Sequence, residues 1–140
     1  MPSFSTVSAG RLATCDPRLQ TLFQRVVQGW DCTVLEGKRT EEQQRENIAQ
    51  GVSKTMDSKH VYPLIGPSLA ADVAPYPLKW PDRKSPTYIK DLCLWYAFGG
   101  YVMGVADGIG ITIRWGADWD GDEVIIDQTF DDLPHFELVL

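Results

Sequence analysis

Apolar residues at helical spacing predict an amphipathic helix near the start of the chain. The residues that share its face are Leu19, Leu22, Phe23, Val26 and Val27. Asp16 and Pro17 stand directly before them as an N-cap and a first-turn proline, and Gly29 is a typical stop. Residues 1–14 are small and polar without a clear period, so we expect an extended lead-in there.

Two more helices are predicted further along the chain. Thr40 and Gln43 form a capping-box pattern, which predicts a surface helix that runs to about Gln50 and ends at Gly51. Residues 87–107 are the most hydrophobic stretch, with apolar side chains on every side of a helix. We therefore expect a buried central helix there.

Short β-prone runs predict a small sheet. They are residues 32–35, 69–74 and 111–115 and the apolar residues after Pro134, while residues 123–127 are either a short strand or a loop. The run 69–74 contains one acid, Asp72, which needs a partner because an unpaired buried carboxylate is costly. Together these elements predict an α+β fold, in which N-terminal helices and a buried central helix pack on a small, mainly antiparallel sheet.

The composition is that of a globular protein and excludes several classes of partner. With 140 residues, 44% hydrophobic and 23% charged, we expect one domain over residues 1–140 and no second targeting or binding domain. The net charge of -6 and the pI near 4.8 argue against nucleic acid and against a polybasic membrane surface. No secretory segment is visible, and the longest apolar run, 92–106, is too short to span a bilayer.

The cysteines indicate a reducing compartment. Cys15, Cys32 and Cys93 are scattered and odd in number, and the chain has no C-x-x-C motif. A disulfide framework or a thiolate metal cluster is therefore not expected. Cys93 stands among apolar residues, so we expect it in the core.

Two histidines and one aspartate are the candidates for chemistry. His60 and His135 are the two histidines of the chain, and with Asp72 they offer the three ligands of a catalytic zinc site. Such an ion lowers the pKa of its water to about 7 and polarises a carbonyl. The residues alone also allow ordinary roles, with His60 at the surface or core edge and Asp72 in a cap or a salt bridge.

Two charged residues are candidates for the groups around such an ion. Asp132 precedes His135 by three residues, and a turn at Pro134 would bring its carboxylate near the metal, where it could move a proton to a leaving amine. Arg39 could stabilise a developing oxyanion. From composition alone, a solvated surface charge is the simpler interpretation of Arg39.

Residues 116–122 form an acidic turn with two interpretations. Asp118, Asp120 and Asp122 alternate as they do in a calcium loop. No glutamate, however, stands where an EF-hand requires its bidentate ligand. A structural turn and a calcium site both stay open.

The order of these motifs resembles the M15 family of zinc peptidases, which includes D-Ala-D-Ala carboxypeptidases and dipeptidases and the phage L-alanyl-D-glutamate endolysins. The family pattern G-x-R-[ST]-x-x-x-Q corresponds to Gly37-Lys38-Arg39-Thr40 followed by Gln43 or Gln44, and S-x-H corresponds to Ser58-Lys59-His60. A-x-D corresponds to Ala70-Ala71-Asp72, and the late [DE]-x-x-H to Asp132-Leu133-Pro134-His135. The resemblance covers about residues 34–140, and segments 114–120 and 134–138 are similar to the endolysin branch.

The resemblance implies a role for each candidate residue. His60, Asp72 and His135 would bind Zn²⁺. Asp132 would be the general base for a zinc-bound water, Arg39 would bind the substrate carbonyl or carboxylate, and Ser58 would orient the site. In the family the histidine and the aspartate usually lie about seven residues apart, whereas here twelve positions separate His60 from Asp72. This longer loop puts the substrate, more than the metal, in question.

The resemblance also implies a function. It indicates an endolysin that cuts the L-Ala–D-Glu bond of the peptidoglycan stem peptide, as a monomer that stays in the host bacterial cytoplasm until its release to the periplasm and cell wall. A D-Ala-D-Ala carboxypeptidase or dipeptidase, which would release free D-Ala, is an alternative. A non-catalytic binding or structural module that keeps the fold is another.

Overall fold

The computed structural model describes residues 1–53, 56–125 and 131–140. In those ranges the chain forms four helices and four strands. They are α1 (Thr6–Leu12), α2 (Pro17–Gly29), β1 (Cys32–Glu36), α3 (Glu41–Ala49), β2 (Ala70–Pro75), α4 (Tyr88–Gly108), β3 (Ile113–Gly116) and β4 (Asp132–Leu138). The strands form one antiparallel sheet in the order β1-β2-β4-β3, which confirms the predicted α+β class.

The hydrophobic core lies between the sheet and helices α2 and α4. Phe23 of α2, Phe98 of α4 and Phe136 of β4 are fully buried. Phe136 meets the other two rings edge to face, at centroid distances of 5.6 and 6.4 Å. Trp115 of β3 packs against α4 at Gly99, where a Cβ atom would collide with the indole ring. A glycine at this position therefore lets α4 and β3 approach closely.

Local sequence signals set the bounds of α2 and α3. The Asp16 side chain caps α2 by accepting a hydrogen bond from Arg18 N, and the predicted apolar face is buried. Thr40 and Gln43 close the predicted capping box of α3, a surface helix with Gln44 as its buried residue. Both predictions are confirmed.

The expectation of an extended lead-in over residues 1–14 is wrong, because α1 lies there. Ser5 caps α1 by accepting a hydrogen bond from Ser8 N. Ser8 is buried, and its Oγ atom accepts a hydrogen bond from Val34 N of β1 at 3.1 Å. This contact joins positions far apart in the chain, so no periodicity within the segment could reveal it.

Helix α4 is buried on one face, not on every side as predicted. Trp95 and Phe98 lie in the core, whereas Ile89 and Leu94 are 67% and 41% exposed. Cys93 is exposed as well, so its expected place in the core is wrong. An apolar circumference predicts a fully buried helix, but α2 and the sheet cover α4 from one side.

Two smaller expectations concern the membrane and the segment 123–127. Among the residues that the structure describes, no helix has both the length and the apolar character needed to cross a bilayer. Residues 123–125 belong to no helix or strand, and residues 126 and 127 lie outside the described ranges.

Candidate metal centre

Strand register places Asp72 and His135 directly opposite each other. The two residues are Cα partners where β2 pairs with β4. Opposite residues of antiparallel strands share one face of the sheet, with Cβ atoms about 4.5–5.5 Å apart. Asp72 Oδ1 accordingly lies 3.2 Å from His135 Nδ1.

His60 reaches the same point from the segment between α3 and β2. Ser58 Oγ accepts a hydrogen bond from His60 N at 3.3 Å, and His60 O accepts one from Arg39 N at 2.8 Å. These bonds fix the backbone on both sides of the ring. His60 Nε2 lies 2.9 Å from Asp72 Oδ1 and 3.2 Å from His135 Nδ1. The structure thus brings the three predicted ligands together.

Each imidazole ring has an inner nitrogen, which faces Asp72, and an outer nitrogen, which faces away from it. An oxygen acceptor lies next to each outer nitrogen. His60 Nδ1 lies 2.8 Å from Gly37 O, and His135 Nε2 lies 2.9 Å from Glu137 Oε1. A proton on each outer nitrogen leaves the inner nitrogens, which face Asp72, as lone pairs. Two lone pairs and a carboxylate oxygen at these distances repel each other unless a positive charge lies among them. This donor set therefore fits a divalent metal ion.

The pKa values within the cluster favour a cation. Burial by itself would raise the pKa of Asp72, but its interactions with the His135 and His60 rings outweigh burial and hold it well below the usual range. Burial would lower the pKa of His135, yet hydrogen bonds to Asp72 and Glu137 raise it to about 9. The carboxylates thus attract a proton to His135, and a divalent ion competes for the same place.

A β-bulge shapes the strand between Asp132 and His135. Residues three apart in a regular strand point to opposite faces. Here Trp115 of β3 pairs with Phe136, but the next residue, Gly116, pairs with Asp132, so residues 133–135 have no counterpart on β3. Gly116 is required at this point, because a Cβ atom there would collide with the backbone of Asp132. The stiff turn predicted at Pro134 is therefore a bulge within β4.

The charges of the surrounding cluster shift the pKa of Asp132. Burial and the nearby Asp72 carboxylate raise the pKa of Asp132, and the charges of His135, His60 and Arg39 oppose that rise. The Asp132 carboxylate therefore shares the electrostatic environment of the three candidate ligands. A carboxylate with a raised pKa next to a metal site is a candidate for proton transfer.

A polar network holds Arg39 next to the cluster. Glu36 accepts two hydrogen bonds from the guanidinium, at 2.8 and 2.5 Å, and Gln44 Oε1 accepts a third. A second bulge, at Leu35, places Glu36 opposite Asp72 in the β1–β2 ladder. The Arg39 side chain is 12% exposed. The interpretation of Arg39 as a solvated surface charge is therefore wrong.

Sequence reasoning missed several side chains around the cluster. Glu137, which binds the outer nitrogen of His135, also lies 3.2 Å from Lys59 Nζ. The Trp119 ring lies against His135, with centroids 5.4 Å apart. Strand alternation puts Glu137 on the same face as His135, and this was the one available signal. Lys59 and Trp119 reach the site through tertiary contacts that carry no local pattern.

The segment between His60 and Asp72 bulges outward while its ends stay in place. Val61 is 1% exposed, whereas Leu64 and Ile65 are 55% and 93% exposed. Lys59 Nζ donates a hydrogen bond to the backbone oxygen of Leu138 at 2.7 Å and so ties the start of this segment to β4. The additional length therefore does not separate His60 from Asp72.

The acidic turn holds a second group of carboxylates. Asp118, Asp120 and Asp122 each offer an oxygen, and these atoms lie within 4.8 Å of one another. Asp118 is 7% exposed, and its Oδ2 atom accepts a hydrogen bond from Glu123 N at 2.9 Å. Its buried Oδ1 atom has no hydrogen-bond partner among the described residues. A structural turn and a calcium site both stay open.

Comparisons with known proteins identify the family of the chain. The family model described as phage L-alanyl-D-glutamate peptidase matches residues 2–139. The L-alanyl-D-glutamate peptidase of Escherichia phage T5 is 31% identical over 148 residues, which cover 97% of each chain. The crystal structure of the Serratia marcescens L-Ala D-Glu endopeptidase ChiX matches with a TM-score of 0.71 and 25% identity, over 99% of this chain and 91% of that one. The chain belongs to the phage L-alanyl-D-glutamate peptidase family.

Proposed function

We propose that the protein is a zinc-dependent endopeptidase that hydrolyses the L-Ala–D-Glu bond of the peptidoglycan stem peptide. The observation that carries this proposal is the convergence of His60 Nε2, Asp72 Oδ1 and His135 Nδ1, each within 3.2 Å of the others. Membership of the family supports the bond that is cut.

His60, Asp72 and His135 would hold the ion. Two imidazole nitrogens and a carboxylate oxygen are a donor set that suits zinc. Bound there, zinc would supply Lewis acidity, which polarises the scissile carbonyl and lowers the pKa of water. Gly37 O and Glu137 would keep the two rings oriented.

Asp132 would act as general base and then as general acid. Its carboxylate takes a proton from the attacking water as the water oxygen bonds to the carbonyl carbon of L-Ala. The same carboxyl group gives that proton to the nitrogen of D-Glu as the C–N bond breaks. Burial, which raises the pKa of Asp132, favours the first step, because a carboxylate with a higher pKa is a stronger base.

Arg39 would bind the oxygen on which negative charge develops. Its bonds to Glu36 and Gln44 use three of the five guanidinium N–H groups and fix the plane of the group. The other two N–H groups would donate to the substrate carbonyl oxygen or to a substrate carboxylate. Because these hydrogen bonds hold the Arg39 guanidinium in place before the substrate binds, the side chain needs little reorganisation during the reaction.

Mass spectrometry of purified peptidoglycan digested by the zinc-loaded protein tests the proposal. We expect stem peptides with a new N-terminal D-Glu, and stoichiometric zinc in the purified protein that is lost in the His135→Ala variant. Intact stems after incubation with zinc-loaded protein would overturn the proposal. Free D-Ala in place of N-terminal D-Glu would indicate a carboxypeptidase instead.

We also propose that residues 1–140 act as one catalytic unit and as a monomer. A core that joins α2, α4 and the sheet supports a single unit. The membership of a phage family supports a protein that stays in the host cytoplasm until its release to the cell wall. Light scattering at working concentration measures the mass in solution, and a dimer would contradict the proposal of a monomer.

A further inference from the structure

We propose that Trp80 and the basic residues around it bind the glycan strand of peptidoglycan at a surface apart from the metal centre. We call residues 76–90 the glycan platform. The inference rests on the proposed function, because it concerns a second part of the same polymer. The platform directly follows β2, the strand that carries Asp72.

Trp80 is both exposed and held in place. It is 54% exposed, and its ring stacks on Trp95 at a centroid distance of 4.7 Å and an angle of 22°. Trp95 is 1% exposed and donates a hydrogen bond from Nε1 to Lys79 O at 2.9 Å. The indole therefore offers its outer surface to solvent on a rigid support, and a rigid aromatic side chain loses little conformational entropy when it binds a ligand.

Contacts with the start of helix α4 hold the backbone around Trp80 in place. Lys79 Nζ donates a hydrogen bond to Thr87 Oγ1 at 2.8 Å and pairs with Asp91 Oδ2 at 3.1 Å. Ser85 and Asp82 close the turn before α4, since Ser85 N donates to Asp82 O at 2.9 Å. The glycan platform is thus tied to the first turns of α4 at several points and is not a loose loop.

The glycan platform is basic on an acidic protein. Its charged residues are Lys79, Arg83, Lys84 and Lys90 with one acid, Asp82, and all five are exposed. Asp91, directly after the platform, neutralises Lys79, so Arg83, Lys84 and Lys90 carry the basic character. The whole chain carries a net charge of -6. Each stem peptide brings the free carboxylate of its D-Glu, so the polymer is anionic along its length. A basic surface of this kind steers and orients an anionic partner.

An exposed indole also suits a sugar ring. The face of an indole carries partial negative charge and attracts the C–H groups that line one face of a pyranose. Tyr76 and Leu78 are 59% and 43% exposed and extend the apolar surface of the same segment.

The position of the glycan platform along the chain suits one polymer bound at two points. From Asp72 to Pro75 the chain advances along β2 by about 10 Å. In peptidoglycan L-Ala joins the stem to the sugar, so the scissile bond lies one residue from the glycan. A glycan strand held at Trp80 therefore belongs to the same polymer, and lies one residue from the same kind of bond, that the metal centre would cut.

Co-sedimentation with insoluble peptidoglycan tests the glycan platform. We expect Trp80→Ala to lower the bound fraction at least fivefold and to slow digestion of insoluble peptidoglycan. Cleavage of a soluble, sugar-free peptide that contains L-Ala–D-Glu should be unchanged. Val52→Ala, which alters a residue that is 74% exposed outside the platform, is the matched control. Binding of Trp80→Ala equal to that of the unaltered protein would overturn the proposal.

A second variant keeps the test valid if loss of Trp80 disturbs the fold. Arg83→Gln with Lys84→Gln changes two exposed side chains, and Arg25→Gln with Arg45→Gln is the charge-matched control on α2 and α3. Only the first pair should weaken sedimentation and its dependence on salt. Equal effects of the two pairs would overturn the proposal.

Competition identifies what the platform binds. Glycan strands freed of their stem peptides should displace the protein from peptidoglycan, and vesicles of phosphatidylglycerol should not bind it. Binding to vesicles, or no displacement by glycan, would overturn the proposal. Failure of the unaltered protein to cleave the soluble peptide would count against the proposed activity alone, because sedimentation does not depend on turnover.

Discussion

At the scale of single residues, the outer nitrogen of each histidine ring decides what the inner nitrogen can bind. Glu137 accepts the outer N–H of His135 and is itself neutralised by Lys59 at 3.2 Å and Arg114 at 3.7 Å. An anionic acceptor makes the imidazole a stronger metal ligand than a neutral acceptor does. Two basic side chains thus stabilise the buried Glu137 carboxylate on which His135 depends.

Glu137→Gln should weaken metal binding while the fold survives. The amide keeps the shape of the side chain but loses the charge that raises the basicity of His135. We expect zinc affinity to fall about 10–100-fold, as measured by competition with a chelating dye. Glu42→Gln, on the exposed side of α3, is the control and should bind zinc normally. Unchanged affinity of Glu137→Gln would show that Glu137 does not tune the ligand.

Asp132→Asn should keep the metal and lose the reaction. We expect kcat to fall about 10²-fold or more, because a general base is removed. Asp131→Asn changes the neighbouring acid, which accepts a hydrogen bond from Tyr96, and should leave kcat close to normal. Equal kcat values for Asp132→Asn and the unaltered protein would support the alternative of a non-catalytic module.

The dependence of kcat on pH should reflect the ionisation of Asp132. A base acts only when it is deprotonated, so activity falls as the pH drops through its pKa. Burial raises that pKa above the usual value of about 3.9 for an aspartate. We expect the acid limb of kcat to lie above that value and to be absent from the residual activity of Asp132→Asn. An acid limb that persists in the variant would assign it to another group.

The three cysteines should differ sharply toward thiol reagents. Burial raises the pKa of Cys32 to about 12 and also raises that of Cys15, whereas Cys93 is exposed. We expect fast reaction of Cys93 alone with a chromogenic disulfide at pH 8, and of all three thiols in denaturant. The Cys93→Ser variant should show no fast phase, and a fast phase in that variant would contradict the burial of Cys15 and Cys32.

At the scale of elements, those that carry their own end signals could be predicted from the sequence. Asp16 for α2 and Thr40 for α3 act on backbone groups within three residues, so the pattern is visible in the sequence. Helix α1 has a local cap at Ser5, but its seven residues carry no apolar period, and the burial of Ser8 depends on a strand far along the chain. An apolar run shows that a helix is hydrophobic but not how many neighbours cover it, which explains the error on α4.

The candidate site, too, could be predicted from the sequence only in part. Residue type makes His60, Asp72, His135, Asp132 and Arg39 candidates, and the resemblance, not their spacing, implies a role for each. The register of β2 against β4 and the two bulges, which decide how these side chains meet, leave no trace in local composition. The motif allowed Gln43 or Gln44 as its glutamine. The structure separates them, since Gln44 binds Arg39 while Gln43 caps α3.

Calcium titration separates the two interpretations of the acidic turn. If the turn binds Ca²⁺, the buried Oδ1 atom of Asp118 gains a partner and calcium raises the melting temperature. Asp118→Asn should abolish that rise, whereas Asp107→Asn, beyond the turn, should not. A melting temperature that is independent of calcium would identify the turn as structural.

At the scale of the whole molecule, the candidate ion would join three parts of the chain. His60 lies in the segment after α3, while Asp72 and His135 lie on β2 and β4.

A ligand that binds only the folded state stabilises it by about 4 kcal/mol at a thousandfold excess over Kd. For a protein of this size we expect removal of zinc by a chelator to lower the melting temperature by about 10 °C. The His135→Ala variant should not respond to the chelator. A chelator-insensitive melting temperature in the unaltered protein would rule out this role for zinc.

The bulge in β4 has a consequence for engineering and for reading related sequences. Residues 133 and 134 lie between the proposed base and a proposed ligand, and the main-chain oxygen of Leu133 accepts a hydrogen bond from Trp115 Nε1 at 2.8 Å. Many side chains fit such positions, but deleting one residue would remove part of the bulge and shift Asp132 relative to both Gly116 and His135. The number of residues between Asp132 and His135 therefore matters more than their identity.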